Sequence, residues 1–425
     1  MQRTIAGFVI CVTLAGIAAA QQNVPPENKF VDRLLKSRYQ LNLQDGKLSG
    51  PALPVLRSAL SGAQFVLIGE DHGISQIPQF ASAVCDMVGP EGFHTLVVEA
   101  GPLAARELRP WIERADGPRQ LIEFEKKYPE TIAFYNFQEE FDFLRHCAGS
   151  AEGGRFQLWG LDQELMGASG LILTRILETH PDKAARDEAQ RQLQKNDEAH
   201  AAAVKSSSPG DTFMITSSEE ELSRLRDLLR KQGTADSQSL ALIDAMIVSR
   251  DIYLKNMTAG YESNRERALL MKRTFEQEYT RATQAEGKPP KVLLKFGGDH
   301  TYKGFNPLRN NDLGNFLTEL ADGQGTASLH ILILGVKGSQ LRFAGIGHPF
   351  QPGDFNLAED KDSDFLFLKP MFDNLTSDGW TMFDLRGLRQ GFRSLGPVDK
   401  ELERMIFGND LLVLIPQATP SRQIR

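Results

Sequence analysis

Short apolar runs alternate with stretches of helical periodicity through the first third of the chain. Residues 65–68 are apolar and β-branched enough to predict a buried strand, and Gly-Glu-Asp-His follows at 69–72. Apolar positions then recur at helical spacing between residues 77 and 87. A second apolar run, at 95–98, ends in Glu99. The pattern predicts a strand–helix–strand unit.

The two strands of this unit both end in ionisable residues. Strands joined by a helix run in the same direction, so their carboxyl ends lie on one rim of the sheet. Glu70, His72 and Glu99 stand at those ends. Open α/β sheets bind ligands at this rim. We therefore expect the functional site there.

Further strands are predicted on both sides of a strandless region. Residues 156–161 form a run that ends in Asp162, and residues 291–296 form another that is followed by Gly-Gly-Asp-His. Residues 166–288 show helical composition without a convincing strand. Strand-like runs also occur near the C-terminus, at 328–334, 381–386 and 410–416. The sequence predicts an α/β fold with a mostly parallel sheet flanked by helices and a large helical insertion.

The same pattern divides the chain into five segments. They are a signal peptide (1–20), an N-terminal lead-in with one short helix (21–62), the first half of the α/β core (63–165), a helical insertion that forms a cap or one wall of the cleft (166–288), and the second half of the core with the C-terminal strands (289–425).

The first segment has the character of an export signal. Arg3 precedes an apolar run, and Ala-Ala-Ala at 18–20 fits a cleavage site. We expect a protein exported to the periplasm or the medium, without membrane contact after cleavage. A retained N-terminal anchor is the alternative.

Composition narrows the classes of partner. The formal net charge is −7 and no basic block occurs, which argues against nucleic acid. A small molecule is the expected substrate, while the oligomeric state is not indicated. Cys85 and Cys147 would remain after signal removal. In an oxidising compartment they either form a disulfide or stay as buried thiols.

Four predicted strand ends carry ionisable side chains. Buried charge is unfavourable unless it is paired, so a sheet serving only as a core would not need such groups at each end. We predict that they line one pocket. The residues are Glu70, His72, Glu99, Asp162, Asp299 and His300.

Two chemistries suit these residue types. A histidine oriented by a carboxylate can take a proton from water that attacks an ester or similar carbonyl. Alternatively, two histidines and a carboxylate can bind a divalent metal that acidifies water. The sequence has no HExxH motif, so metal ligands would come from distant positions. It also lacks a Gly-x-Ser-x-Gly motif, which disfavours a serine hydrolase.

The motifs at the strand ends resemble the superfamily of erythromycin esterases, ChaN proteins and Tiki/TraB proteins. Their order and approximate spacing agree over roughly residues 65–320. The matching segments are Ile68-Gly-Glu-Asp-His-Gly73, Val97-Val-Glu-Ala100, Gly160-Leu-Asp162 and Gly297-Gly-Asp-His300, with Ser249-Arg-Asp251 similar to a helix of the esterase branch.

The resemblance implies roles for four residues. By likeness to the erythromycin esterases, His72 is the general base for water, Glu70 and Glu99 orient it or the substrate, and His300 completes the pocket. By likeness to Tiki and TraB, His72, Glu99 and His300 hold a divalent metal. ChaN-like members bind haem instead.

The subfamily stays open. One residue separates Glu70 from His72, a spacing more like ChaN and Tiki, whereas the long insertion is more like the esterases. The first hypothesis is an exported hydrolase in which His and Glu activate water. The alternative is a haem- or metal-binding protein.

Candidate substrate-contacting residues are Asp162, Arg250, Asp299, Lys295 and Tyr302. Arg250 could equally be a solvated helix residue, and Lys295 could instead pair with an acid.

Overall fold

A ten-stranded sheet runs through residues 26–151, 155–231 and 237–424, the part of the chain that the computed structural model describes. Its strands are β1 (Arg38–Gln44), β2 (Lys47–Ser49), β3 (Ala63–Glu70), β4 (Phe93–Val98), β5 (Gln157–Gly160), β6 (Lys291–Gly297), β7 (Ala327–Arg342), β8 (Gln351–Asn356), β9 (Trp380–Asp384) and β10 (Leu411–Ala418). The predicted signal peptide, residues 1–20, lies outside these ranges, so export stays a prediction.

Sixteen α-helices accompany the sheet in the described residues. They are α1 (Pro26–Lys36), α2 (Ala52–Leu60), α3 (Gln76–Val88), α4 (Pro102–Ile112), α5 (Gly117–Lys127), α6 (Gln138–Ser150), α7 (Ser169–Glu178), α8 (Lys183–Ser206), α9 (Phe213–Thr216), α10 (Glu219–Lys231), α11 (Ser237–Thr258), α12 (Gly260–Glu286), α13 (Leu313–Gly323), α14 (Lys369–Phe372), α15 (Arg386–Arg389) and α16 (Lys400–Gly408). None of the helices in the described part of the chain has the length and apolarity needed to cross a bilayer.

The sheet is mostly parallel, as the sequence predicts. Strand order is β2-β1-β9-β10-β7-β3-β6-β4-β5, with β8 paired to β7. The six strands from β10 to β5 are parallel to their neighbours in that order. Strands β9, β1 and β2 extend one edge in antiparallel fashion. The predicted fold class is confirmed.

Strand β6 lies between β3 and β4, although those two strands are neighbours in sequence. It pairs with β3 from Phe65 opposite Val292 to Glu70 opposite Gly297, and with β4 up to Val98 opposite Lys295. The chain reaches this central position only after the long helical segment. Side chains at the end of β6 therefore lie between those that end β3 and β4.

Alternation along the central strands separates two apolar layers. Phe65 and Leu67 of β3 pack with Phe275 of α12, whereas Val66 and Ile68 belong to the layer that contains α3 and α6. Successive strand residues point to opposite faces, so each strand contributes to both layers. Helices cover both faces, as a buried parallel sheet requires.

The helices α7 to α12 stand between β5 and β6, and no strand occurs among the described residues between them. Met271 and Phe275 of α12 pack against the sheet. The hairpin of α11 and α12 reaches the carboxyl rim, where its side chains form part of the cleft.

Two parts of the sheet differ from the sequence-based prediction. The N-terminal segment, interpreted as a lead-in with one short helix, contains two helices, α1 and α2. It also supplies β1 and β2, and β1 pairs with β9. Strand β8 was not predicted. Strands β1 and β8 lie towards the margin of the sheet, and most of their residues are exposed or half-buried. They therefore lack the continuous apolar run of a central strand.

A disulfide joins Cys85 of α3 to Cys147 of α6, with the two Cα atoms 5.3 Å apart. The two helices pack side by side in the same apolar layer. The pairing left open by the sequence is therefore a disulfide that closes a loop with a sequence separation of 62 residues.

Removing the disulfide in a Cys85→Ser/Cys147→Ser variant should lower the free energy of unfolding by about 4 kcal/mol, because a loop of this length restricts the unfolded chain. Denaturant unfolding with and without reductant measures the effect. The double variant should be insensitive to reductant. An unchanged midpoint in the fully reduced wild type would contradict this expectation.

Candidate active site

The carboxyl ends of four parallel strands place acids and histidines on one rim. Glu70 is the last residue of β3, and Glu99 follows β4 directly. Asp162 lies just beyond β5, and His300 lies just beyond β6. The structure thus brings together the strand ends that the sequence marks as polar.

His72 lies between two carboxylates. Its Nδ1 is 3.0 Å from Glu70 Oε1, and its Nε2 is 3.5 Å from Glu99 Oε2. The imidazole stacks on the ring of Phe134, with centroids 3.9 Å apart. Both ring nitrogens face an acceptor, an arrangement that suits the protonated imidazolium.

Glu99 accepts hydrogen bonds from two groups and faces the rings of two histidines. Its Oε2 receives the backbone N–H of Gly297, and its Oε1 lies 2.6 Å from Arg267 Nη2. His300 Nε2 is 3.7 Å from the same Oε1. Together with His72, these donors hold the carboxylate ionised in a site where only 6 % of its side chain is exposed.

Arg267 of α12 bridges two strand ends. Its guanidinium donates to both oxygens of Asp162 and to Glu99. A planar guanidinium can bind a carboxylate through two parallel N–H bonds, which fixes its orientation as well as its charge. The helical insertion thus contributes the cation that neutralises this part of the rim.

Lys295 of β6 is a fully buried cation beneath the rim. Its Nζ donates to Glu70 Oε1 and, at 2.8 Å, to Glu140 Oε1 of α6. The side chain has no exposed surface. Alternation along β6 turns Lys295 to the same face as Leu293, where α6 packs. Of the two alternatives left open for Lys295, the structure shows the ion pair with acids.

Gly297 makes the approach of His72 and Glu99 possible. A Cβ at this position would lie 3.1 Å from His72 Nε2 and 3.3 Å from Glu99 Oε2. A side chain there would press on both groups, so a residue without one suits the close contact.

Two cavities open at the rim. One, of about 390 Å³, is lined by the loops that follow β4 and β5 and by α11 and α12. The other, of about 360 Å³, extends towards Asp299, His300 and Tyr302. They share His72, Glu99, Asn264 and Arg267 as common lining, so the histidine is reachable from both.

Burial and charge oppose each other in setting the pKa values of this cluster. Burial alone would lower the pKa of His72, but Glu70 and Glu99 outweigh it and raise the pKa to about 10. Burial would raise the pKa of Glu99, yet His72, His300 and Arg267 hold that pKa well below its ordinary value. His72 is therefore positively charged at neutral pH.

The second histidine has its own acid. His300 Nδ1 is 3.0 Å from Asp312 Oδ2, and Asp312 also caps α13 by accepting from Leu313 N–H. Burial and Arg267 act to lower the pKa of His300, but Asp312 and Glu99 raise it overall. Both histidines thus stand between carboxylates.

Of the remaining candidates, Asp299 and Tyr302 line the second cavity. Burial raises the pKa of both side chains, so Tyr302 is a neutral phenol. Arg250 lines neither cavity; its Nε donates to the carbonyl oxygen of Ser217 at 2.7 Å, within the insertion. Arg267 is the arginine that lines both cavities.

The donors proposed for a divalent metal are His72, Glu99 and His300. Within the described ranges, no three His, Cys, Asp or Glu side chains are grouped so as to hold a metal ion. Both oxygens of Glu99 already accept hydrogen bonds, one of them from the cationic Arg267. As arranged, these residues do not fit a metal, and the haem alternative stays a prediction.

Sequence reasoning missed three residues that complete the cluster. Arg267 stands four positions before Met271, in register with the buried stripe of α12, and Glu140 stands four positions before Leu144 on the buried side of α6. A charged residue in an apolar stripe was the available signal in both. Phe134 carries a backbone φ of 60°, for which the sequence offers no signal.

Comparison with known proteins shows similarity at the level of the fold. No protein-family model matches this chain, and no curated protein matches it. Among solved structures, a variant of erythromycin esterase EreC in its open conformation superposes with a TM-score of 0.62 at 16% identity, covering 91% of this chain and 99% of that one. The chain has an erythromycin esterase-like fold.

Two further solved structures share this fold. A Bacillus cereus protein has a TM-score of 0.58 at 15% identity, over 94% of this chain and 99% of its own. A protein described as a succinoglycan biosynthesis protein has a TM-score of 0.57 at 15% identity, over 96% and 100%. At these identities the similarity concerns the fold alone.

Replacing Lys295 by Met should lower the free energy of unfolding by about 3–5 kcal/mol, because Glu70 and Glu140 would face each other without a cation. Adding Glu140→Leu should recover part of the loss. Denaturant unfolding measures both. The control is Lys369→Met, whose ammonium is exposed and paired with Asp373; it should change stability by no more than about 0.5 kcal/mol. Equal effects of the two lysine variants would refute the role given to the buried cation.

Proposed function

We propose that this protein is a hydrolase in which His72, flanked by Glu70 and Glu99, activates water against an ester or related bond. The observation that carries the proposal is the placement of His72 between two carboxylates at the carboxyl rim of parallel strands, open to two cavities. A base, a group that orients it and a cleft for substrate are the components of general base catalysis.

The proton transfer follows from the two nitrogen contacts. Glu70 accepts from Nδ1 at 3.0 Å, which leaves Nε2 as the atom that exchanges a proton in the cleft. After His72 loses its extra proton, Nε2 can accept one from water while Nδ1–H stays bound to Glu70. The attacking oxygen then bonds to the carbonyl carbon as the C=O π bond opens to an oxyanion. When the oxyanion collapses, the bond from the carbonyl carbon to the alcohol oxygen breaks, and the leaving oxygen takes the proton from Nε2.

Negative charge that develops on the carbonyl oxygen needs donors nearby. Asn264 and Arg267 line both cavities next to His72 and carry N–H groups. Such fixed donors stabilise a developing oxyanion more than they stabilise the neutral carbonyl. The similarity of the fold to that of an erythromycin esterase is compatible with this chemistry.

Replacing His72 by Ala should reduce kcat/KM for ester hydrolysis by about 10²–10⁴-fold, the usual contribution of a general base. Activity on a panel of carboxylic esters measures it, with added imidazole expected to restore part of the rate. His146→Ala is a suitable control, because His146 is exposed and pairs with Asp86 away from the rim. Full activity in His72→Ala would eliminate the mechanism.

The pH profile should show a rising limb. Because Glu70 and Glu99 raise the pKa of His72 to about 10, the neutral base is a small fraction at pH 7 and grows about tenfold per pH unit below that pKa. We expect kcat/KM to rise towards pH 10 and the limb to move to lower pH in Glu70→Gln, which removes one carboxylate. A limb that moves to higher pH would contradict the assignment.

A further inference from the structure

A third cavity, of about 320 Å³, adjoins the first and is mainly apolar. We call it the apolar annex and define it by Ile132, Phe134, Leu165, Met166, Phe343 and Phe350. Its volume lies in the lower part of the range for small-molecule sites. Nothing in the hydrolytic chemistry described above uses it.

The annex adjoins the cavity that contains His72 and shares part of its wall. Ala133, Phe134, Leu165 and Met166 line both. Phe134 is the shared wall closest to the chemistry, since its ring stacks on the imidazole of His72. A molecule placed against His72 therefore has an apolar space beside the reacting bond.

Aromatic rings connect the annex to the solvent. Phe134 contacts Phe137, Phe137 contacts Phe350 at 4.9 Å between centroids, and Phe350 contacts Phe343 at 5.8 Å. Phe343 is 45 % exposed. The contacts form a row of packed rings from the exposed Phe343 to His72.

The backbone conformation of Phe134 indicates that the surrounding structure fixes the position of its ring. Its φ of 60° lies in the left-handed region, which is uncommon for a residue with a Cβ and strained for a bulky one. Such strain persists only where the surroundings over-determine the conformation, and it is frequent at ligand sites.

Hydrogen bonds also fix the outer wall of the annex. The loop between β7 and β8 carries Phe343 and Phe350, and it is held by the N–H of Gly347 donating to Glu130 Oε1 at 2.9 Å. The contact of Ser207 Oγ with His348 Nε2, at 2.7 Å, fastens the same loop to the insertion. A wall fixed before binding avoids part of the entropy loss of ordering it.

The lining of the annex also includes polar side chains, namely Glu125, Glu130, Asn136, His348 and Gln423. Burial raises the pKa of Glu125 to about 8, so its carboxyl is mostly protonated at pH 7. Asn136 donates to Glu125 Oε2 at 3.3 Å. Within the described part of the chain, neither Glu125 Oε1 nor Asn136 Oδ1 has a hydrogen-bond partner. The surface that lines the annex is nevertheless mainly apolar, so this space suits a hydrocarbon group.

From this geometry we propose that the annex binds an uncharged hydrocarbon portion of the substrate, beside the bond that His72 presents to water. The inference rests on the proposed hydrolase function and assigns its substrate class: esters in which the acyl or the alcohol side carries an apolar chain or ring. Phe343 and Phe350 are the specificity-determining residues.

The test compares ethyl acetate with two isomeric longer esters, ethyl hexanoate and hexyl acetate, by acid release at constant pH. The wild type should prefer one isomer over ethyl acetate by tenfold or more in kcat/KM, up to about 200-fold if all four added methylenes are buried. Preference for ethyl hexanoate places the acyl chain in the annex, and preference for hexyl acetate places the alcohol there.

Variants then locate the preference. Phe343→Asp and Phe350→Asp should bring the ratio of kcat/KM for the longer ester to that for ethyl acetate down towards one, whereas Phe343→Leu should retain most of it. Phe407→Asp is the matched control, because Phe407 is 43 % exposed and contacts only the ring of Phe392 among the aromatic residues of the described chain. A wild-type ratio of one, or an equal fall in the control, overturns the annex while leaving hydrolysis intact.

A binding measurement separates this inference from the proposed function. If no ester is hydrolysed, the hydrolase proposal fails, and titration with 2-octanone, a ketone of similar shape, tests the annex alone. Binding that is lost in Phe343→Asp and kept in Phe407→Asp supports the annex. Absence of binding to the wild type overturns it.

Discussion

Lys295 is a cation with no exposed surface, and the arrangement of the rim depends on how its charge is balanced. Removing an ammonium ion from water is unfavourable by several kcal/mol unless acids surround it. Glu70 of β3 and Glu140 of α6 supply them. The ion pairs join two strands and a helix below the site, and they orient the Glu70 carboxylate that receives His72.

Negative and positive side chains alternate from the buried Lys295 towards the cleft. Glu70 contacts His72, His72 contacts Glu99, and Glu99 contacts Arg267. Glu70, Glu99 and Asp162 each have a cation within reach. The same balance keeps His72 protonated at neutral pH and makes the loss of that proton a condition for base catalysis. The aromatic annex lies next to this polar cluster, so one side of the cleft is charged and the other is apolar.

The sequence predicted the rim because apolar runs of strand length ended in Glu70, Glu99, Asp162 and His300, and parallel strands bring such ends together. It did not identify Arg267 as their partner. Helical periodicity indicates that Arg267 shares a face with Met271, but not which strand ends that face meets. The same limit holds for Arg250 on the preceding helix, whose contact with the carbonyl oxygen of Ser217 periodicity does not indicate.

The sequence by itself determined the fold class, since the period of its apolar positions specifies strands, helices and a long helical segment between them. It also determined which strand ends carry ionisable groups. Only the tertiary structure decided that β6 lies between β3 and β4, that Cys85 pairs with Cys147, and that Lys295 meets Glu70 and Glu140. The physical reason is that periodicity indicates which side of each segment is buried and which is exposed to water. Contacts between distant segments depend instead on how their surfaces pack together.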